Sequence, residues 1–143
     1  MSAAKNKNVI SAFIQDVINQ GRLERPDDLV LPDFVELDPL PGQSQGREGL
    51  KEVIAQLRGA FPDIHWVVDE MLAEGAKVCT RFTWSGTHRG VFLGIPATDK
   101  RVTVKGVVID RLEGGKMAYS RILMDTIGMM QQLGVLATPP ASH

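Results

Sequence analysis

The chain lacks most of the features that place a protein in a special class. Its 143 residues include one cysteine, Cys79, so no disulfide can form within the chain and nothing points to an oxidising compartment. No stretch approaches the roughly 20 apolar residues of a membrane-spanning helix, and residues 1–15 have no apolar run like that of a signal peptide. We therefore expect a cytoplasmic protein with no membrane partner.

An excess of charge of either sign is also missing. The formal net charge is −1, and nucleic-acid-binding proteins normally show a basic excess or stripe, so we expect no nucleic-acid partner. No set of histidine, cysteine and acidic residues has the spacing of metal ligands. We therefore predict no bound metal.

Hydrophobic residues are plentiful, at 43% of the chain, which is enough for the core of a single domain. After the polar residues 1–7, which we expect to be flexible, apolar residues recur at the period of an amphipathic helix as far as Gly21. A short helix at 25–31, a short strand at 33–38 and a third helix at 46–61 are predicted to follow.

After Pro62 the hydrophobic period changes to two, which is typical of half-buried strands. Strands are predicted at 63–72, 78–88, 101–110 and 117–125, and a short helix at 126–134 closes the chain. In the first of these strands, Ile64, Trp66, Val68 and Leu72 are predicted to share the buried face.

Helices followed by a meander of antiparallel strands indicate an α+β fold, with the helices packed on one face of a curved sheet. We predict one domain over residues 1–143, with flexible segments at 1–7 and 136–143. A sheet that bends around helices can leave a cone-shaped cavity, and such cavities are the default sites for small molecules.

Asp125 stands out because it is an acid among apolar residues. Asp is a favoured N-cap, and a helical pattern follows it directly. However, a capping box would have Glu or Gln at position 128, where this chain has Gly128. The alternative is a carboxylate in an apolar pocket, where burial raises its pKa toward the working pH of an acid/base catalyst. The residues leave both roles open.

Arg121 shares its strand parity with Tyr119 and Asp125, so the three are predicted to face the same side. The arginine could be exposed on a solvent or dimer face. It could instead lie in the pocket beside Asp125 and lower the pKa of that carboxylate by about 1–3 units. Asp38 or Asp110 could then supply a second acid.

Several other residues have a structural and a functional interpretation. His88 lies on the apolar parity of its strand, either as a structural histidine that holds the 89–99 loop or as a proton donor in the pocket. Trp84 and Phe82 are predicted to form the pocket wall or plain core. Tyr119 could donate its phenol to an oxyanion or lie at an interface.

Paired carboxylates occur in the short strand that precedes the third helix. Glu36 and Asp38 are two residues apart, so they are predicted to share a face. Such a pair could form an acid/base set, and turn or surface roles are the alternative.

Four segments match a known pattern in their order and spacing. They are "AFPDIHW" (60–66), "WSGTHRGVFLGIPATDKRV" (84–102), "GGKM" (114–117) and "MDTIGMMQQLG" (124–134). Together they resemble the SnoaL-like polyketide cyclase family of the nuclear transport factor 2-like, or cystatin-like, superfamily. The resemblance implies a cone-shaped α+β barrel, a mostly antiparallel curved sheet wrapped around the N-terminal helices. It also implies a homodimer that handles a small hydrophobic molecule without a metal or organic cofactor.

The resemblance also implies roles for individual residues. Asp125 falls on the aspartate that acts as general acid/base when the cyclases close a ring by an aldol reaction. The chain departs from many relatives at 119–121, and at Leu37, where relatives often have a histidine. The predicted catalytic residues are Asp125, His88 and Arg121, and the predicted substrate-binding residues are Trp84, Phe82, Tyr119, Leu37 and Asp38.

Three functions follow as hypotheses. The first is cofactor-free acid/base catalysis, an aldol cyclisation or isomerisation of a small hydrophobic carbonyl compound, with Asp125 as general acid/base. The second is an epoxide hydrolase- or dehydratase-like reaction that uses Asp125 with Arg121. The third is a non-catalytic small-molecule-binding or dimerisation module.

Overall fold

A computed structural model describes residues 2–136 of the chain. The elements are α1 (Ala3–Ala12), a π-helical continuation of it (Phe13–Asn19), α2 (Pro26–Leu29), β1 (Val30–Glu36), α3 (Gly46–Ala60), β2 (His65–Glu74), β3 (Lys77–Thr87), β4 (Arg101–Glu113), β5 (Lys116–Met124) and α4 (Thr126–Leu133). Almost all of the predicted flexible segment 136–143 lies outside the described residues. None of the helices within 2–136 has the length and apolar character needed to cross a membrane.

The first helix begins earlier than predicted. The Ser2 hydroxyl accepts a hydrogen bond from the Lys5 N–H at 3.1 Å and caps α1, so residues 3–7 are helical. Asn6 and Ile10, one turn apart on the same face, are both buried. The polar composition of this turn hid the cap and the inward-facing Asn6, which together attach it to the domain.

The five strands form one sheet in the order β1-β5-β4-β3-β2. The chain crosses from β1 to the far edge of the sheet and meanders back, so β5 ends beside β1 as a parallel neighbour, whereas all the other pairs are antiparallel. β1 starts at Val30 and includes Pro32, which the sequence pattern placed before the strand. An edge strand tolerates such a proline because it has no partner on one side. The predicted α+β architecture is confirmed.

Packing between the helices and the inner face of the sheet builds the core. On β3 the inward residues Phe82 and Trp84 have no exposed surface. The Phe82 ring stacks on Trp66 with 3.8 Å between centroids, and Trp84 meets the Phe61 ring edge-on at 5.0 Å. These aromatic pairs fix the spacing between β2, β3 and the end of α3.

Two β-bulges decide which side chains face inward. A bulge adds one residue to a strand and so reverses the alternation beyond it. In β2 the register shifts between Val68 and Glu70, and Leu72, predicted to be buried, is 61% exposed as a result. In β5 a second shift lies opposite Arg111, and beyond it Ser120 is buried.

Candidate functional site

The helices and the inner face of the sheet enclose a cavity of about 430 Å³. Its wall is mostly apolar and includes Phe13 and Phe34 from the helical side and from β1, and Trp66 from β2. This volume lies within the range of about 300–1,000 Å³ that is usual for small-molecule sites.

The charged side chains in the wall are all acidic. Glu36, Asp38 and Asp110 line the cavity, whereas none of its lining residues within 2–136 is a lysine, arginine or histidine. In the same part of the chain, no group of three or more histidine, cysteine or acidic side chains is arranged to hold a metal ion.

Three of the polar lining residues lie side by side on adjacent strands, and we call Glu36, Ser120 and Asp110 the carboxyl row. The register pairs Glu36 with Ser120 across β1 and β5, and Asp110 with Ser120 across β4 and β5. Ser120 lies between the two acids in the register, and its hydroxyl is the neighbouring donor that lowers the pKa of both carboxyl groups. A strand-to-strand register therefore brings together residues that are far apart in the chain.

The two acids differ in burial. Asp110 is 3% exposed and Ser120 is 5% exposed, whereas Glu36 is only partly buried. Glu36 also has a second donor, since its Oε1 accepts a hydrogen bond from the Asp38 N–H at 3.1 Å. Glu36 is therefore better suited than Asp110 to carry a negative charge.

Both carboxyl groups titrate near neutral pH. Burial raises the pKa of Asp110 to about 7, and the neighbouring Glu36 charge adds to the rise while the Ser120 hydrogen bond opposes it. Burial likewise raises the pKa of Glu36 to about 7, against hydrogen bonds from the Asp38 N–H and the Ser120 hydroxyl. Acids this close to each other titrate as a pair. A base and a proton donor are thus available together near pH 7.

Asp125 is exposed and is not part of the cavity wall. Its Oδ1 accepts a hydrogen bond from the Gly128 N–H at 2.9 Å, which makes it the N-cap of α4. A Cβ atom at residue 128 would overlap the Asp125 carboxylate in its present position, so a larger residue there would require that side chain to shift. The capping role is confirmed. The catalytic role stays a prediction that this geometry does not favour.

Arg121 is exposed as well, on the outer face of the sheet. It pairs with Ile109 across β4 and β5, and it does not line the cavity. Tyr119 is partly buried, also outside the cavity wall. The predicted position of Arg121 inside the pocket is therefore corrected, because the alternation beyond the β5 bulge turns Ser120 inward and Arg121 outward.

His88 is fully buried but does not reach the cavity. Its Nδ1 lies 3.0 Å from the Thr98 hydroxyl and accepts a hydrogen bond from the Thr98 N–H at 3.3 Å. Its ring stacks on Phe61 with 5.3 Å between centroids. The interpretation that His88 holds the 89–99 loop is confirmed, and its catalytic role stays a prediction.

The predicted substrate-binding residues divide into two groups. Asp38 is exposed but lines the cavity, and its backbone supports Glu36. Trp84 and Phe82 are plain core, and Leu37 is 39% exposed; all three lie outside the cavity wall. The aromatic wall on the sheet side is Trp66, one strand away from the predicted Trp84 and Phe82.

The sequence contained two signals for the carboxyl row, and one of them is the paired carboxylates Glu36 and Asp38, which both line the cavity. Asp110 shares its parity with Val104 and Val108, both of them buried, and a charged residue at such an inward position is rarely placed there without a partner. Nothing in the sequence showed that Glu36 would lie near it, since that contact depends on the β1–β5 pairing.

Comparisons with known proteins agree with this architecture. The chain is 27% identical over 128 residues to nogalonic acid methyl ester cyclase from Streptomyces nogalater, covering 88% of this chain and 92% of that protein. The structure is similar to that of TsrD from Streptomyces laurentii, with a TM-score of 0.87, 29% identity and coverage of 95% of this chain and 99% of that one. It is also similar to a candidate polyketide cyclase from Bacillus cereus, with a TM-score of 0.82, 27% identity and coverage of 94% and 84%.

The family assignment rests on nearly the whole domain. Residues 8–133 match the family described as SnoaL-like polyketide cyclase, and this range runs from α1 to the end of α4. The chain therefore belongs to the SnoaL-like polyketide cyclase family.

Proposed function

We propose that this chain catalyses proton transfer at a carbon next to a carbonyl group, with Glu36 as the general base. The product would arise by aldol ring closure or by isomerisation, the kind of chemistry that membership of the cyclase family supports. The observation that carries the proposal is the carboxyl row in the wall of a mostly apolar cavity.

The chemistry follows from the order of the groups in the row. The Glu36 carboxylate removes the proton from carbon, and the substrate becomes an enolate. Once Glu36 is protonated, it needs the Ser120 hydroxyl less as a donor. That hydroxyl can then turn to the enolate oxygen, where charge develops. Asp110 stays neutral behind Ser120 and donates to its oxygen.

The substrate is proposed to be uncharged. An anionic group would meet Glu36 and Asp110 in a cavity whose described lining has no basic side chain. Burying an unpaired anion there costs several kcal/mol, about 3–5 when a buried pair is broken. The relative from Streptomyces nogalater acts, by its name, on a methyl ester, which is consistent with an acid group that has been masked.

Of the two other hypotheses, the hydrolase or dehydratase has less structural support than the binding module. No observation favours a hydrolase or dehydratase that pairs Asp125 with Arg121, because both side chains are exposed. A non-catalytic binding module is the second candidate, since an enclosed apolar cavity binds ligands whether or not Glu36 reacts. The homodimer is proposed on the exposed apolar residues Val107 and Ile109 of the outer sheet face, and the cytoplasmic location stays a prediction.

The test is exchange of the substrate's α-protons with deuterium, followed by NMR. The panel contains nogalonic acid methyl ester and simple cyclic keto esters, each beside its free-acid analogue. We expect Glu36→Gln to slow exchange by about 10²- to 10⁴-fold, with little exchange of the free acids. Asp125→Asn is the matched control, because it makes the same acid-to-amide change outside the cavity.

Two outcomes would contradict the proposal. Full activity in Glu36→Gln with loss in Asp125→Asn would return the chemistry to Asp125. Ligand binding by the wild type without any exchange across the panel would favour the binding module.

A further inference from the structure

We propose that Ser120 couples Glu36 and Asp110 into one unit that holds a single proton at neutral pH, with the proton on Asp110 and the charge on Glu36. Ser120 is then the positioning residue that keeps Glu36 ionised. The catalytic use of this unit rests on the proposed function, whereas its existence does not.

The first argument counts hydrogen-bond donors. A serine hydroxyl has one hydrogen and can donate to only one carboxylate at a time. Ser120 is buried directly opposite Asp110 across β4 and β5, so ionising both acids would leave one carboxylate without this hydroxyl as its donor. An unpaired buried carboxylate is costly, and the doubly ionised state is therefore disfavoured.

One proton satisfies every group in the row. A protonated Asp110 donates to the Ser120 oxygen, and the Ser120 hydroxyl then donates to the Glu36 carboxylate. Each carboxyl group and the hydroxyl have a partner in this arrangement. Hydrogen bonds that form such a chain also strengthen one another in a low-dielectric interior.

The second argument decides which acid keeps the proton. Asp110 is almost completely buried, so charging it costs more than charging the partly exposed Glu36. The Asp38 N–H donates to the Glu36 carboxyl group at 3.1 Å, and the Ile122 N–H is a second nearby donor, whereas the Asp38 charge opposes ionisation. These donors favour the ionised form of Glu36, and no corresponding backbone donors support Asp110.

The third argument is that the backbone holds the row in place. The Leu37 N–H donates to the Ser120 carbonyl at 2.8 Å, and Ser120 pairs with Asp110 in the β4–β5 ladder. The hydroxyl is therefore held between two strands. Removing it should raise the pH at which Glu36 ionises, because Glu36 loses a donor.

The experiment is a carbon-13 NMR titration of the Glu36 and Asp110 carboxyl groups in the full-length protein without substrate. In the wild type we expect Glu36 to ionise first while Asp110 keeps its proton. In Ser120→Ala we expect the Glu36 midpoint to rise by about one pH unit, the size typical of a lost hydrogen bond to a carboxylate. Ser120→Thr keeps a hydroxyl and should restore the wild-type midpoint.

Ser85→Ala is the matched control, because Ser85 lies on β3 outside the cavity and is hydrogen-bonded to Arg101. It should leave both midpoints unchanged. The inference is overturned if Ser120→Ala does not move the Glu36 midpoint, or if Asp110 ionises before Glu36 in the wild type.

Glu36→Gln provides a second readout should Ser120→Ala fail to fold. Without the Glu36 charge, Ser120 is free to donate to Asp110, and Asp110 should ionise at a lower pH than in the wild type. An unchanged Asp110 midpoint would show that the two acids are not coupled. Because these titrations use no substrate, the expected midpoints combined with no proton exchange would reject the proposed function and leave this inference intact.

Discussion

Asp125 follows strand β5 and Asp110 lies on the neighbouring strand β4, and although the two side chains are the same, their surroundings differ in almost every respect. Asp125 is exposed and its carboxylate caps a helix through the Gly128 N–H. Asp110 is 3% exposed and hydrogen-bonds to Ser120 beside a second acid. Asp125 stabilises local structure while water solvates its carboxylate, whereas Asp110 is buried where ionisation costs free energy.

The difference shows why a conspicuous residue can be a poor guide to chemistry. Asp125 draws attention because its neighbours in the chain are apolar. Burial, however, depends on neighbours in space, and Asp125 lies where the chain leaves the sheet and turns into α4. The pKa of Asp110 is raised to about 7 because the sheet and helices exclude water from it.

The largest expected effect is the pH dependence of stability. The folded-state pKa of Asp110, about 7, lies above its ordinary value of 3.8, so the folded state binds more protons than the unfolded state between these values. The contribution of Asp110 to the free energy of unfolding should therefore be most favourable below about pH 4. It should fall as the pH rises through 7, by an amount on the order of 3–4 kcal/mol.

Asp110→Asn should remove most of that fall, because the amide has no charge to bury. Urea unfolding of the wild type and the variant between pH 4 and pH 8 measures the difference directly. Two parallel curves would mean that Asp110 is not buried in its charged form, and the contrast with Asp125 would disappear.

A smaller effect is expected at the helix cap. Asp125→Ala should lower the free energy of unfolding by about 1 kcal/mol, because the Gly128 N–H loses its acceptor. Asp125→Asn should cost little, since Asn is as good an N-cap as Asp. Equilibrium unfolding of the three proteins at one pH separates the cap from a charge effect, and a large loss in Asp125→Asn would contradict the capping role.

The smallest effect is expected for Arg121. Its side chain is exposed on the outer face of the sheet, and substitutions at such positions usually change stability by no more than about 0.5 kcal/mol. Arg121→Ala should also leave the Glu36 and Asp110 titrations unchanged. A shifted titration in this variant would mean that the guanidinium reaches the cavity and that the hypothesis of an acid–arginine site should be reopened.

Local patterns predicted much of the fold. The period change after Pro62 separated helices from strands correctly, because side-chain alternation is a property of each strand by itself. It failed at Leu72, where one extra residue in β2 reversed the alternation. It also failed at residues 3–7, whose polar composition gave no sign of the Ser2 cap.

The candidate site was predicted less well than the fold. Asp110 and Asp38 appeared among the acids that the sequence analysis considered, and both line the cavity. The residues predicted to react, Asp125, His88 and Arg121, do not. These residues were predicted from their sequence context and from the family resemblance. Neither criterion shows which side chains are buried next to each other.

By itself, the sequence determined the α+β class and the family, because both depend on local periodicity or segment matches. Only the tertiary structure decided the site. Glu36, Ser120 and Asp110 come from three strands, and their contact exists only because β5 returns to lie between β1 and β4. That pairing removes water from two carboxyl groups at once, and the loss of water is what makes them titrate near neutral pH.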